Sequence, residues 1–572
     1  MSSQHTSAAL ALEQGTPWRD ALEALLRGLN REQSEELMMC LNEGRGSFAL
    51  TLGGTGGKAL FIGAPLSGTP VALDSLGYTV CTLAASNKDV KLARGRARNL
   101  CGVEAPYVLA DQRALPFRDQ SFDLVVQEGG PENGWREVIA ELARVTRGEL
   151  VLISDNPLAY KRALGRRGQF QHATPLAFAK RLLRNPRNEA RLASLRAMHI
   201  AHGLCSPRSF ALYPHALEFS HVVGLDGKGP ELTIGPRERK NRIKLLAQRA
   251  GLFPVFAPSF CVHAARKPGP MRLTRALDAL REQSGLVPGE IEYLVATRSN
   301  SALALTRGPD PLCLHIPLSP SKRRMTDVHH AFLSHVAKRF PAVPLPRPVF
   351  AGELEGTWIQ AETRLPGQTA PHLTGTAIAE RDLLVNMACL LAKLVVRPAE
   401  PLDSATYDRL LGQRCRDVQQ RSGLASTAKS LGSMLERGAE RLIGKPLPLM
   451  FYHADARAKH VQVDSAGHIT GLLDWGASEA EFLPFADLGH LLVHQRKQNH
   501  GGTIGAAWRA LGQSDSRTEG EQRALNRYGE YLDLDEETMS ALIELVPLMI
   551  AGMAERNWDY SRPIWVHRQF DL

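Results

Sequence analysis

The stretch Phe451-Tyr-His-Ala-Asp455-Ala-Arg457-Ala-Lys-His460-Val-Gln-Val-Asp464, continued by His468-Ile-Thr-Gly-Leu-Leu-Asp474-Trp-Gly476 and Pro484-Phe-Ala-Asp487-Leu488, decides how this chain is read. Short apolar runs alternate with loops, and two of the loops carry an aspartate, Asp455 and Asp474. Two separately placed carboxylates can divide two tasks, orienting a reacting group and holding a cation. The plainer alternative is a strand-turn-strand with charged loops and one structural aspartate.

Around this stretch lie 572 residues, 44% apolar and 22% charged, enough for two or more cores. The longest apolar run, Ala541 to Met553, is broken by Glu544 and Pro547 and falls short of the roughly 20 residues a membrane helix needs, so no spanning segment is expected. The first twenty residues lack the order of a secretory signal. The eight cysteines are scattered singly, as in proteins with reduced thiols, and a cytoplasmic compartment is expected.

The net charge of +10 is partly local. A run of lysines and arginines from Lys161 to Arg196 meets one acid, Glu189, and a second cluster spans Arg237 to Lys244. Such runs are most often solvated helix faces, and the alternative is contact with an anionic membrane surface, a polyphosphate or a lipid-linked sugar. Few aromatics interleave with these charges, so nucleic acid is not an expected partner.

Leu22, Leu25, Leu26, Leu29, Leu37, Met38 and Leu41 recur at helical spacing, which makes residues 1–47 a helical segment. From Ala59 short apolar runs alternate with helical stretches (Ala59 to Ile62, Thr79 to Leu83, Tyr107 to Ala110, Phe122 to Val126, Leu150 to Ser154), the rhythm of a parallel α/β sheet. Residues 48–266 therefore read as one domain, with a basic insertion at about 157–230 and closing extended runs around Ile234 and at Val255 to Ala264. The Lys-Pro-Gly-Pro break marks a linker, 267–274. In 275–572, short strands come first (small lobe, about 275–365) and long helices follow (large lobe, about 366–572).

The 451–488 stretch resembles the His-Gly-Asp-(four residues)-Asn, Asp-Trp-Gly and Asp-Leu pattern of aminoglycoside phosphotransferases and choline kinases. That resemblance implies a two-lobed protein-kinase-like domain using ATP and Mg²⁺ on a hydroxyl of a sugar, a glycolipid or another small polar acceptor. It implies Asp455 as the group that orients the hydroxyl, His453 as its brace, and Asp474 as the metal ligand with His460 in place of the second ligand, an asparagine in the family. Arg457 would meet the transferring phosphate. Asn300, in Thr297-Arg-Ser-Asn-Ser-Ala302, falls in the phosphate-covering turn, and Glu362 in the segment Trp358 to Gly367 that resembles the adenine-binding hinge. The family's third-strand lysine maps near His315, and its glutamate partner near His329 or His330.

Residues 59–154 resemble a Rossmann-like class I methyltransferase, which implies S-adenosylmethionine as cofactor, with Gly63 in the first-strand loop and Asp111 beside the adenine. Where that family has further glycines this chain has Pro65 and Ser67, and the acid expected on the ribose is Ala84. The reading is thus α/β plus α+β: a methyltransferase-like domain followed by a kinase-like phosphotransferase domain. A non-catalytic scaffold, or a bifunctional methyltransferase-kinase of surface polysaccharide synthesis, are the alternatives. His263 and His490 sit in apolar company and read as core histidines.

Overall fold

Along Gly57–Ile62 (β1) the side chains divide by parity: Leu60 and Ile62 enter one apolar cluster, Ala59 and Phe61 the other. A strand covered on both faces must be apolar at every covered position, which is how Ala59 to Ile62 reads, while Gly57 and Lys58 are exposed. The computed structural model describes residues 2–84, 89–102, 106–130, 135–156, 159, 192–226, 251–370, 377–420, 425–557 and 565–570. The described chain gathers into two units, Met1–Arg324 with Val349–Glu362, and Met325–Pro348 with Thr363–Leu572.

In the first unit the strands after β1 are Tyr78–Ala84 (β2), Tyr107–Leu109 (β3), Phe122–Glu128 (β4), Thr146–Asp155 (β5), Cys205–His215 (β6), Glu218–Gly224 (β7), Ser259–Ala265 (β8), Glu290–Ala296 (β9), Ser301–Arg307 (β10), Leu312–Pro317 (β11), Pro348–Leu354 (β12) and Thr357–Thr363 (β13). Among the described residues they form one 13-stranded sheet in the order β12-β13-β11-β10-β9-β7-β6-β8-β5-β4-β1-β2-β3. β1 to β5 are parallel, and β8 enters antiparallel between β5 and β6. That is the methyltransferase topology, and β7 extends it by pairing with β9 at His221 and Val295.

Four expectations change here. The break at 267–274 lies inside the first unit: Arg272 is fully buried, donates to the Gly54 and Leu76 carbonyls at 3.0 and 2.7 Å, and opens a helix, Arg272–Ser284, whose Leu273, Ala276, Leu277 and Leu280 share one core with Leu294, Ala304 and Leu314. The small-lobe strands thus continue the methyltransferase sheet. The segment from Val255 begins as a short helix, Phe253–Phe256, because Pro254 suits a first helical turn. The insertion supplies β6 and β7 to the sheet; of its basic run Arg196 is described, on the helix Leu192–Ala201, where it donates to Ser209 at 2.7 Å and pairs with Asp226, whereas the run from Lys161 to Arg191, the cluster from Arg237 to Lys244, and Ile234 lie outside the described residues. Finally, the helix Glu536–Arg556 is long and apolar enough to cross a membrane by length and composition, yet 83% of its apolar window is buried inside the second unit.

The N-terminal helices Ser2–Glu13, Trp18–Arg27 and Arg31–Leu41 lead into a 3₁₀ segment, Glu43–Thr51, in which every residue is buried. Asn30 and Gln33 cap the third of these helices reciprocally. In the second unit the strands are Gln368–Thr369 (β14), Val395–Pro401 (β15), Pro446–Tyr452 (β16), Val461–Val463 (β17), Ile469–Leu472 (β18) and Glu479–Phe482 (β19), forming the sheets β14-β17-β18 and β15-β16-β19. These small sheets carry the motif loops on their ends.

Candidate active site

β16 runs apolar to Tyr452 and then turns at Ala454, whose φ of 67° places it in the left-handed region. Asp487, at the start of the helix Ala486–His500, holds that turn: its two oxygens accept from the backbone N–H groups of His453 and Ala454 at 2.8 and 2.9 Å. His453 braces the other side. Its Nε2 donates to the Leu473 carbonyl at 2.9 Å, its Nδ1 accepts from the Asp455 N–H at 3.3 Å, and its ring lies 4.5 Å from Trp475. Both ring nitrogens are committed to the two motif loops, and burial pushes its pKa down to about 4, so His453 is neutral and positions rather than reacts. Trp475, whose ring meets His453 and whose Nε1 donates to the Leu472 carbonyl at 2.9 Å, ties the turn after β16 to the Ile469–Leu472 strand.

The two loops bring Asp455, His460 and Asp474 together, with donor atoms within 4.8 Å of one another. His460 Nδ1 lies 2.8 Å from the Asp455 carbonyl oxygen and donates to it, which leaves Nε2 with a lone pair 3.2 Å from Asp474 Oδ2. Burial lowers the His460 pKa, so the ring favours its neutral form. A lone pair facing a carboxylate oxygen is resolved by a cation, and the bond at Nδ1 is the outer support that fixes a ligating tautomer. The donor set fits a divalent metal. Asp474 adopts φ 65°, a strained value of the kind that clusters at functional sites, and its side chain is 37% exposed.

Asp455, by contrast, is 1% exposed, and Arg457 donates to its Oδ2. Burial alone would raise the Asp455 carboxyl, but His460, Arg457 and His490 outweigh it and hold it at about 2. Arg457 therefore sits on the carboxylate itself, not away from it as a separate phosphate cation. Sequence reasoning missed His490, read as a core histidine: its Nε2 lies 3.9 Å from Asp455 Oδ1, and its ring is 4.5 Å from that of His494. The signal was present, because Asp487, His490 and His494 recur at helical spacing on one face.

The other expected residues fall in the first unit. His315 on β11 pairs with Glu362 on β13 at 3.0 Å. Burial disfavours charge on His315, yet Cys313 and Glu362 together hold its pKa well above the usual range. Asn300, with φ 58°, offers its side-chain oxygen to the Glu43 N–H at 3.4 Å and its carbonyl to Leu318 at 3.0 Å.

At the carboxyl end of β1 the residues do not fit S-adenosylmethionine. The Gly68 N–H donates to the Cys40 carbonyl at 2.8 Å, and a Cβ at Gly68 would stand 2.2 Å from the Asn42 carbonyl oxygen. Arg45 pairs with Glu128 at 2.6 Å, Arg96 pairs with Glu43, and all four are buried. The bare backbone that would face a cofactor faces the chain's own residues 40–45. Asp111 is exposed and closes a local turn on Arg113 at 2.9 Å, Gly63 lies beside Glu128, and Ala84 is buried.

Residues 290–525 match the model of a phosphotransferase enzyme family, and residues 61–153 match that of a methyltransferase domain. The chain thus joins a methyltransferase-like N-terminal domain to a kinase-like, phosphotransferase-family C-terminal domain. Among solved structures, an aminoglycoside-3'-phosphotransferase of type VIII is similar at 21% identity over 48% of this chain and 99% of that chain, with a TM-score of 0.31. A macrolide 2'-phosphotransferase type I is similar at 14% identity over 53% of this chain and 97% of that one, TM-score 0.35. A SAM-dependent methyltransferase from Thermotoga maritima is similar at 14% identity over 42% and 97%, TM-score 0.26. Among curated proteins none matches the chain.

Proposed function

We propose that the C-terminal domain is an ATP-dependent phosphotransferase that acts on a hydroxyl of a sugar, a glycolipid or another small polar acceptor. The observation that carries this reading is the facing of His460 Nε2 and Asp474 Oδ2 at 3.2 Å beside Asp455. Asp474 and His460 would hold Mg²⁺ there, and Asp455 would orient the acceptor hydroxyl and receive its proton as the γ-phosphoryl passes from ATP to that oxygen, with ADP as the leaving group. When bound, the metal would supply positive charge against the phosphate oxygens. His453 and Asp487 keep the two loops in register through the bonds described above. The N-terminal domain reads as a scaffold, since residues 40–45 stand where its cofactor would lie.

The two carboxylates have separable tasks, so their variants separate. Asp474→Asn is expected to abolish Mg²⁺-dependent nucleotide binding, followed with a fluorescent ATP analogue. Asp455→Asn is expected to retain that binding and to lose turnover by about 10² or more against a panel of sugar and glycolipid acceptors. Parent-level binding and turnover in both variants would sink the assignment.

A further inference from the structure

The first unit carries a cluster of metal-ligating side chains of its own, on β11 and β13. Cys313 and His315 are two residues apart on β11, so a strand's alternation puts both on one face. Glu362, 3% exposed, reaches them from β13. His315 Nε2 lies 3.6 Å from Cys313 Sγ and 3.0 Å from Glu362 Oε1, and the three donor atoms all lie within 4.8 Å of one another.

We propose that Cys313, His315 and Glu362 form a zinc-binding site. Around tetrahedral zinc, bond lengths of about 2.3 Å to sulfur and about 2.0 Å to nitrogen or oxygen place sulfur and nitrogen about 3.5 Å apart, and nitrogen and oxygen about 3.3 Å apart. The sulfur–nitrogen and nitrogen–oxygen spacings, 3.6 and 3.0 Å, already approach those values, and the sulfur–oxygen spacing is within 4.8 Å. The ligand types select the metal: thiolate with imidazole and one carboxylate suits zinc, whereas Mg²⁺ wants oxygen alone. An outer support is in place as well, because Gln360, fully buried, donates through Nε2 to the other oxygen of Glu362 at 3.1 Å and fixes the carboxylate's orientation.

Three protein ligands leave the fourth position of zinc to water or to an anionic oxygen from a ligand. Cys313 and His315 are half-buried, within reach of solvent. Binding is balanced in protons. Zn²⁺ displaces one from the Cys313 thiol and one from the His315 imidazolium, and both leave to solvent. The site stays neutral overall, because the Cys313 thiolate and the Glu362 carboxylate together offset the charge of Zn²⁺.

The site is testable without any acceptor or nucleotide, so its failure leaves the phosphotransferase reading untouched. The full chain, stripped of metal with a chelator, is titrated with Co²⁺. The parent is expected to develop a thiolate-to-cobalt charge-transfer band that saturates at one equivalent and is bleached by Zn²⁺. Cobalt on Asp455, His460 and Asp474 gives no such band, because that set has no sulfur. Cys313→Ser should abolish the band and weaken zinc binding by about ten-fold or more, while Cys205→Ser, at an exposed cysteine, leaves it intact. Glu362→Gln should keep the band and lose affinity; because that residue is buried, the half-exposed Cys313 supplies the variant that does not risk the fold. No band in the parent, or a band that survives Cys313→Ser, overturns the proposal.

Discussion

Arg457 shows how a single contact changes a residue's role. Its guanidinium donates to Asp455 and is among the groups that hold that carboxyl at about 2, against the burial that would raise it. Removing it takes away a cation that favours the ionised base, so the Asp455 pKa must rise. Arg457→Ala is therefore expected to move the acid limb of the kcat profile to higher pH and to lower turnover about ten-fold or more at neutral pH, the scale of one charge-assisted hydrogen bond. Arg457→Lys, which keeps the charge and loses the planar fork, should lose less. A profile in Arg457→Ala that overlays the parent's between about pH 4 and about pH 9 would reject this role, since that span covers the ordinary carboxylate range and neutrality. Asp455 and Asp474 were legible in the sequence because local spacing alone places them in loops between strands. His490 was legible only as sharing a helix face with Asp487 and His494; which buried group its ring meets was not, since Asp455 arrives from another element and an apolar sequence context does not say which group a ring will face.

Between elements, the N-terminal segment and the loop after β1 form one packed joint. Pro65, Ser67 and Ala84 already signalled an altered cofactor cleft, because they stand where glycines and an acid are expected. What fills the cleft could not be read locally: it depends on residues 40–45 returning to Gly68, a contact between distant parts of the fold with no spacing signature. Two results follow. S-adenosylmethionine should show no binding in the micromolar range by calorimetry, and a clear micromolar isotherm would refute the filled cleft. Gly68→Ala should destabilise the protein by about 1–3 kcal/mol in the absence of any ligand, the ordinary cost of overpacking, because its Cβ would meet backbone at 2.2 Å. A denaturant midpoint unchanged by Gly68→Ala would mean that residues 40–45 are free to move away.

At the scale of the whole chain, the sequence break at 267–270 and the course of the sheet disagree, and the sheet decides which pieces stand alone. Proline and glycine mark a turn, but a turn is a local event, whereas a domain boundary depends on which apolar faces remain covered when the chain is cut. Here β9 pairs with β7, and Leu294, Ala302, Leu314, Ile316 and Ile359 belong to the same core as Phe48, Leu73, Leu124 and Val151. Cutting at 274 would strip β9 of its pairing with β7, leaving β10 on its other side, and open the apolar face of β9, β10 and β11 to water. An unpaired edge over an exposed apolar face is a template for aggregation. Residues 275–572 expressed alone, the piece that the sequence break recommends, should therefore be insoluble or self-associated, while the full chain is not. The same continuity is readable in the intact protein by hydrogen exchange: the amides of β9 and β10 should exchange with protection close to those of β4 and β5, because strands of one sheet over one core open together. A soluble, monomeric 275–572 fragment with a cooperative thermal transition would show instead that the small-lobe strands close on themselves and that the pairing with β7 contributes little.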